Sequence, residues 1–195
     1  KYQGISLNPI LNSFQQTVHR YNIPDDLIKA FLTSMKADLH KTEYTTKEEY
    51  NTYIYGSADV VGLMCLKVFV NGDTKKYDEL KDAAMRLGSA FQKVNFLRDL
   101  KDDYEVLNRS YFPNVNLGDL DANSKQMIIK EIEEDFDVAF KNGILNLPVE
   151  AKFGVYMAYR YYRKLLKKLK TVPSAKIMDT RIRISNPMKI NLLAR

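Results

Sequence analysis

Residues 92–113 read QKVNFLRDLKDDYEVLNRSYFP. At the centre of the stretch, Asp99 and Asp103 stand four residues apart, with Asp102 beside the second. On a helix this spacing puts the two carboxylates on one face, about one turn apart. The same face, followed toward the N-terminus, carries Asn95, Gln92, Gly88 and Ala84. Polar groups near the carboxylates thus give way to small residues that leave room for something beside the helix. Two aligned carboxylates with an amide above them suit Mg²⁺, which takes oxygen ligands and shares its shell with water and substrate phosphate. A bare acidic pair at this spacing is also common on solvated helix faces, so the surrounding residues must decide.

The chain has 195 residues and 45% hydrophobic content, enough for one globular core, and we read residues 1–195 as a single domain. Eight Gly, six Pro, no Trp and long Lys/Glu/Leu-rich periodic segments point to an all-α protein. The one cysteine, Cys65, excludes an internal disulfide and fits a reducing, cytoplasmic compartment. It lies in the apolar run 60–70, which predicts a buried small hydrophobe rather than a reactive thiol. No apolar stretch approaches the roughly eighteen residues of a membrane span, and none of the residues reads as a signal peptide. The net charge of +6 is moderate, compatible with an anionic substrate or an anionic lipid surface. Nucleic-acid binding asks for a denser basic patch or a recognisable module, and neither occurs. His19 and His40 have no ligand-spaced partners, and no glycine motif for nucleotides is found.

Leu11, Phe14, Val18 and Tyr21 recur at helical steps and predict a helix over 2–21, stopped by Asn22-Ile23-Pro24. Pro24 in the first turn, with Asp25 and Asp26 at the positive end, opens a second helix to about Leu39. Helix-start electrostatics explains that acidic pair without a metal. Thr46-Lys47-Glu48-Glu49 is a capping box opening a helix over 50–70. After Asn71-Gly72-Asp73, the aspartate-bearing helix runs from Thr74 or Lys75 to about Leu107. A loop over 108–123 is followed by helices over 124–142 and 149–169, then a less regular tail with Pro173 and Pro187. The acidic run 131–137 reads as a solvated face, and so does the Lys/Arg series from Lys164 to Lys189. In the helix over 50–70, Gly56, Ser57, Ala58 and Gly62 are poor helix formers, and imply close approach by another helix or a ligand.

Taken together, QKVNFLRDLKDD followed by NRSYFP resembles the second aspartate-rich region of the squalene/phytoene synthase family, Q-x-x-N-[IF]-L-R-D-[VL]-x-[ED]-D and then G-R-x-Y-[FL]-P. Asn108 replaces the glycine, and Asn tolerates the left-handed turn next best. YIYGSADVVG at 53–62 is similar to the family's Y-x-Y-x-V-A-G-x-V-G block, with Tyr53 at an active-site tyrosine and Ala58, Val61 and Gly62 matching. Ser57 and Asp59 depart from it; Asp59 either faces water or alters the cavity wall. Residues 34–39 and 44–45 look like G-M-x-x-D-L and Y-x-T, while Tyr161-Tyr162, Arg181, Arg183 and Lys189 resemble C-terminal Tyr and Arg/Lys elements more loosely. The matches extend over most of the chain.

The resemblance implies an isoprenoid synthase-type helical bundle around a central cavity. It implies head-to-head joining of two isoprenyl diphosphates, C20 to phytoene in carotenoid biosynthesis or C15 to squalene or dehydrosqualene, through a cyclopropylcarbinyl diphosphate. Asp99 and Asp103 would hold Mg²⁺, or Mn²⁺, with Asp102 as auxiliary, and Asp99, Asp103, Tyr53 and Arg98 would be catalytic. Gln92, Asn95, Arg109, Tyr162 and Arg181 would bind diphosphate, and Ala58, Gly62, Ala84 and Gly88 would line the space for the chain. Tyr53 would share that wall, and Tyr111-Phe112-Pro113 would anchor a lid. NADPH enters only on the squalene reading. We favour the phytoene branch; a non-catalytic helical partner with the same fold is the alternative of another class. The family's first aspartate-rich motif is not found between Lys1 and Asp38, so the chain reads as the C-terminal two-thirds of such an enzyme, with N-terminal helices missing and no activity expected of it alone. Peripheral membrane association is a reasonable expectation for greasy substrates, while oligomeric state is not legible.

Overall fold

A computed structural model describes residues 5–107, 109–113 and 120–188. The expected substitution of Asn108 for glycine and the expected basic Lys189 lie outside these residues. Eight α-helices are described: α1 Pro9–Arg20, α2 Asp25–Ala37, α3 Lys47–Ile54, α4 Val60–Phe69, α5 Thr74–Glu105, α6 Ala122–Val138, α7 Val149–Thr171 and α8 Ser174–Asp179. The described residues contain no strand, only one isolated bridge between Glu43 and Ser110.

The fold is organised around α5. Its 32 residues span about 48 Å at 1.5 Å per residue. Asp73 caps its start, accepting from the Lys76 N–H at 3.0 Å. Helices α4, α6, α7 and α8 all pack on α5. Leu80, Ala83, Ala90, Val94, Phe96, Leu97 and Leu100 are buried against them, which is why the long helix needs no strong amphipathic pattern of its own.

Several local expectations are revised. The first helix starts at Pro9, not near Tyr2, because a proline pushes its predecessor to extended backbone. Asn8 takes that conformation and caps the Ile10 and Leu11 N–H groups. Pro24 sits just before the second helix instead of inside it. Thr46 does cap the Glu49 N–H, but the Glu49 carboxylate bonds the N–H of Thr45 instead of completing the box at Thr46. The helix over 50–70 is interrupted by a π-helical turn, Tyr55–Asp59, and the helix over 124–142 begins at Ala122 and ends at Val138 in a second such turn, Ala139–Gly143. Both turns pack on α5. Helix α7, expected over 149–169, runs to Thr171.

The acidic run 131–137 is not a solvated face throughout. Asp135 is 2% exposed and Lys93 5%. Lys93 donates to Asp135 at 2.7 Å and Glu131 at 2.6 Å, and Arg86 reaches Asp135 at 2.8 Å. Burying the carboxylate is tolerated because it is paired and hydrogen-bonded twice. Cys65 is also not buried: it is solvent-accessible where it lines a cavity, and partial burial pushes its thiol pKa up.

Candidate functional site

A cavity of about 580 Å³ runs along α5, within the range of small-molecule sites. One wall is α5 itself, from Leu80 through Ala84 and Gly88 to Gln92. Ser57, Ala58, Val61 and Gly62 of the first π-turn and α4 form the second wall, and Leu147, Ala151, Val155 and Ala158 form the third. Apolar side chains dominate; at one end Gln92 Nε2 lies 3.4 Å from Ser57 Oγ, and Glu150 borders the other.

Small residues make this wall thin. A Cβ on Gly88 would lie 2.7 Å from the Ala58 carbonyl oxygen, and one on Gly62 2.7 Å from that of Ala84. Close backbone approach therefore requires glycine at both positions. Ala58, Gly62, Ala84 and Gly88 thus serve helix packing and border the cavity at once.

Beyond Gln92 the same face of α5 continues into a polar cluster. Asn95 accepts from the Tyr162 hydroxyl at 3.3 Å. Arg98 forks onto Asp99, with Nε 2.9 Å from Oδ1 and Nη2 on Oδ2. Arg181 Nε meets the same carboxylate at 2.6 Å. The hydrogen bonds to Asp99, and then its charge, raise the Arg98 pKa. Asp103 lies in the field of Asp99, Asp102, Arg109 and Arg181, yet no hydrogen bond from the described residues reaches its carboxylate. Burial first, then the neighbouring Asp99 charge, pushes its pKa up to about 6. Asp102 is exposed beside it.

Local folding explains who arrives at this cluster. After α5 the chain reverses, and the Arg109 N–H donates to the Asp103 carbonyl at 2.8 Å. Ser110 then pairs with the segment 42–44, its N–H on Thr42 O at 2.8 Å and its O accepting from Tyr44 N at 3.1 Å. That pairing sets Asp38 beside Arg109, whose guanidinium reaches both the Asp38 carbonyl and, at 3.5 Å, its carboxylate. At the other end, Ile182 and Ile184 are buried, so the alternation Arg181-Ile182-Arg183-Ile184 turns Arg181 outward to Asp99.

Three placements expected from the sequence are revised. Tyr53 is not on the cavity wall. It is 5% exposed, stacked on Phe96 and Tyr111, with its hydroxyl donating to Asp38 at 2.9 Å. It precedes the π-turn, and α3 carries it into the aromatic core instead. Tyr111 and Phe112 likewise belong to that core, so they anchor the crossing at Ser110 from within. Asp59 does not line the cavity: half-buried, it accepts from Ser89 Oγ at 2.7 Å, and burial above all pushes its pKa to about 6.

Asp38 and Ser57 contribute without having been named as site residues from the sequence, although Asp38 falls in the match at 34–39. Tyr53 and Arg109 converge on Asp38 from distant positions, a signal visible only in three dimensions. Ser57, noted as a departure, gains its place from the π-turn.

The donor set fits a hard cation: carboxylates one turn apart, all oxygen, one without a hydrogen bond among the described residues and short of neutralising charge. No three His, Cys, Asp or Glu converge on one point among the described residues.

A family model described as squalene/phytoene synthase matches residues 2–137. The chain is 27% identical to the 15-cis-phytoene synthase of Enterobacter agglomerans, with 95% of this chain and 65% of that protein covered. It is 26% identical to a phytoene synthase of Pseudescherichia vulneris, with 98% and 65% covered. The chain therefore spans less than two thirds of the length of these bacterial relatives. Among solved structures, the squalene synthase HpnC of Alicyclobacillus acidocaldarius superposes with a TM-score of 0.73 at 20% identity, covering 87% of this chain and 68% of that one. A dehydrosqualene synthase in complex with ligand gives 0.78 at 19%, covering 97% and 70%. These two establish the fold: an all-α, isoprenoid synthase-type helical bundle.

Proposed function

The chain belongs to the squalene/phytoene synthase family, and from that premise we propose that it carries the diphosphate-binding end and prenyl cavity of a head-to-head prenyltransferase that makes phytoene from two C20 diphosphates. The observation behind this is one continuous face of α5, apolar and small from Leu80 to Gly88 and acidic at Asp99 and Asp103. An isoprenyl diphosphate has that same division. Relatives named phytoene synthases support the C20 substrate.

In this reading Asp99 and Asp103 hold Mg²⁺, with Asp102 alongside; Mn²⁺ would fit the same oxygens. When bound, the metal neutralises charge on the leaving diphosphate. Arg98, Arg109 and Arg181 supply forked donors for phosphate oxygens. Arg98 and Arg181 are already gathered on Asp99, so a diphosphate would draw them from the carboxylate to itself. Asn95, fixed by Tyr162, and Gln92, beside Ser57, orient polar atoms at the neck between cluster and cavity. Tyr53 acts one step back: it positions Asp38 and through it Arg109. The apolar walls keep water from the allylic cation.

We also propose that the pair on α5 works opposite a second acidic motif, and that the 195 residues alone do not turn over substrate. A protein joining these residues to such a motif should yield a C40 hydrocarbon from geranylgeranyl diphosphate and Mg²⁺ without NADPH, read by mass spectrometry. A C30 product formed only from farnesyl diphosphate would move it to the squalene branch. No hydrocarbon from either substrate would refute the enzyme reading.

A further inference from the structure

The segment that carries Arg181 is too short to hold its own shape. Helix α8 has six residues, and isolated helices of that length do not persist in water. Ile177, Ile182 and Ile184 are buried and anchor the segment on one side. Its backbone is held from three helices, by one lysine each. Lys125 of α6, only 8% exposed, donates to the Val172 carbonyl and, at 3.3 Å, to that of Lys170. Both carbonyls lie at the C-terminal end of α7, beyond the reach of that helix's own N–H groups. Lys101 of α5 donates to the Asp179 carbonyl, the last of α8, at 2.7 Å. Lys168 of α7 donates to the Arg183 carbonyl at 2.6 Å. An ammonium at a helix C-terminus meets both an unpaired acceptor and the negative end of the dipole.

Arg181 stands midway between the last two carbonyls, two residues from each. With Ile182 and Ile184 turned into the core, its guanidinium faces Asp99, Nε 2.6 Å from Oδ1. We propose that Lys101 and Lys168 are positioning residues for Arg181. They pin the backbone on both sides of it and so hold its fork at the acidic pair, ready for a diphosphate. The proposal rests on the reading of that pair as a diphosphate-binding end.

Both contacts are wet, since Lys168 is exposed and Lys101 half-buried, and a solvated hydrogen bond adds little to stability. What they remove is freedom. An arginine on a loose segment must give up backbone and rotamer entropy when it grips phosphate, whereas one on a pinned backbone has already given up part of it. Lys101 also lies 3.8 Å from Glu105, a longer contact than the one to Asp179. Lys125 is buried and its loss would unsettle the end of α7, so the two outer lysines carry the test.

Heteronuclear NMR of the arginine Nε–H groups in the 195-residue chain reads the positioning without any ligand. The Arg181 resonance, identified by its loss in Arg181→Gln, is expected to be shifted and slow to exchange in the wild type. Lys101→Met with Lys168→Met should move it to the position of free arginine. Calorimetric titration with inorganic pyrophosphate and Mg²⁺ reads the consequence. Affinity should fall about tenfold in the methionine pair, recover with arginine at both positions, and stay unchanged in Glu105→Gln. In an Arg181→Gln background the methionine pair should cost nothing further, a non-additivity expected only of residues that act through Arg181. A lysine that gripped phosphate itself would cost affinity there too. Circular dichroism melting confirms that each variant folds. An Arg181 resonance unchanged in the methionine pair, or losses that add in the Arg181→Gln background, would overturn the proposal. Pyrophosphate binding to neither wild type nor variants would refute the diphosphate reading instead, and a resonance that still responds to the lysines would leave the clamp on Arg181 standing.

Discussion

The two sides of α5 handle charge in opposite ways. On one, Arg86 and Lys93 meet Asp135 and Glu131 in a closed network whose pairs lie at 2.6–2.8 Å. On the other, Asp99 has gathered two arginines while Asp103 has no hydrogen bond from the described residues and a pKa near 6. A closed network holds helices together. An under-neutralised one is ready for a ligand, and perturbed carboxylates gather where ligands bind.

Breaking the closed network should produce the largest effect. Lys93→Met leaves the buried Asp135 with Arg86 alone and Glu131 with Lys47 alone, and stability in urea should fall by about 3 kcal/mol. Replacing Lys93, Arg86 and Asp135 together with apolar residues should recover most of it. Full stability in Lys93→Met would show that the network is ornamental.

Asp59 borders this network without being neutralised by it. Its carboxyl moves from the ordinary 3.8 to about 6 on folding. The folded state therefore holds a proton that the unfolded state releases, and stability falls as pH rises between those values. Asp59→Asn should be more stable than the wild type by about 3 kcal/mol at pH 7, the advantage vanishing by about pH 4. A pH-independent difference between the two proteins would contradict the assignment.

Smaller effects sharpen the thin wall and the neck. Gly88→Ala forces a methyl onto the Ala58 carbonyl and should cost about 1–3 kcal/mol, seen as a lower Tm. Tyr162→Phe removes one hydrogen bond to Asn95 and should cost under about 1 kcal/mol; any larger loss would make Tyr162 a packing residue.

The same contrast marks what the sequence could reveal. Asp99, Asp103 and the small residues above them are local, one helical face read at steps of three and four, and the long helix was legible with them. Lys93 and Asp135 lie 42 residues apart, so the acidic run on α6 reads as solvated until the partner helix is placed against it. The π-turn at Tyr55–Asp59 is likewise set by packing, since Gly88 and Gly62 bring backbones together there. Tyr53 was displaced from its expected wall for that reason. Arg181 was named from the family resemblance, and the direction it points follows from the Arg-Ile alternation, because two buried isoleucines fix which way the arginines point.

The central claim is that Asp99 and Asp103 form the open, cation-seeking end of α5. Calorimetric titration with geranylgeranyl diphosphate, with and without Mg²⁺, tests it most directly in wild type, Asp99→Asn and Asp103→Asn. The account predicts saturable binding that requires Mg²⁺ and falls at least tenfold in either variant, with circular dichroism showing both variants folded. Binding that ignores Mg²⁺, or persists unchanged in both variants, would contradict it.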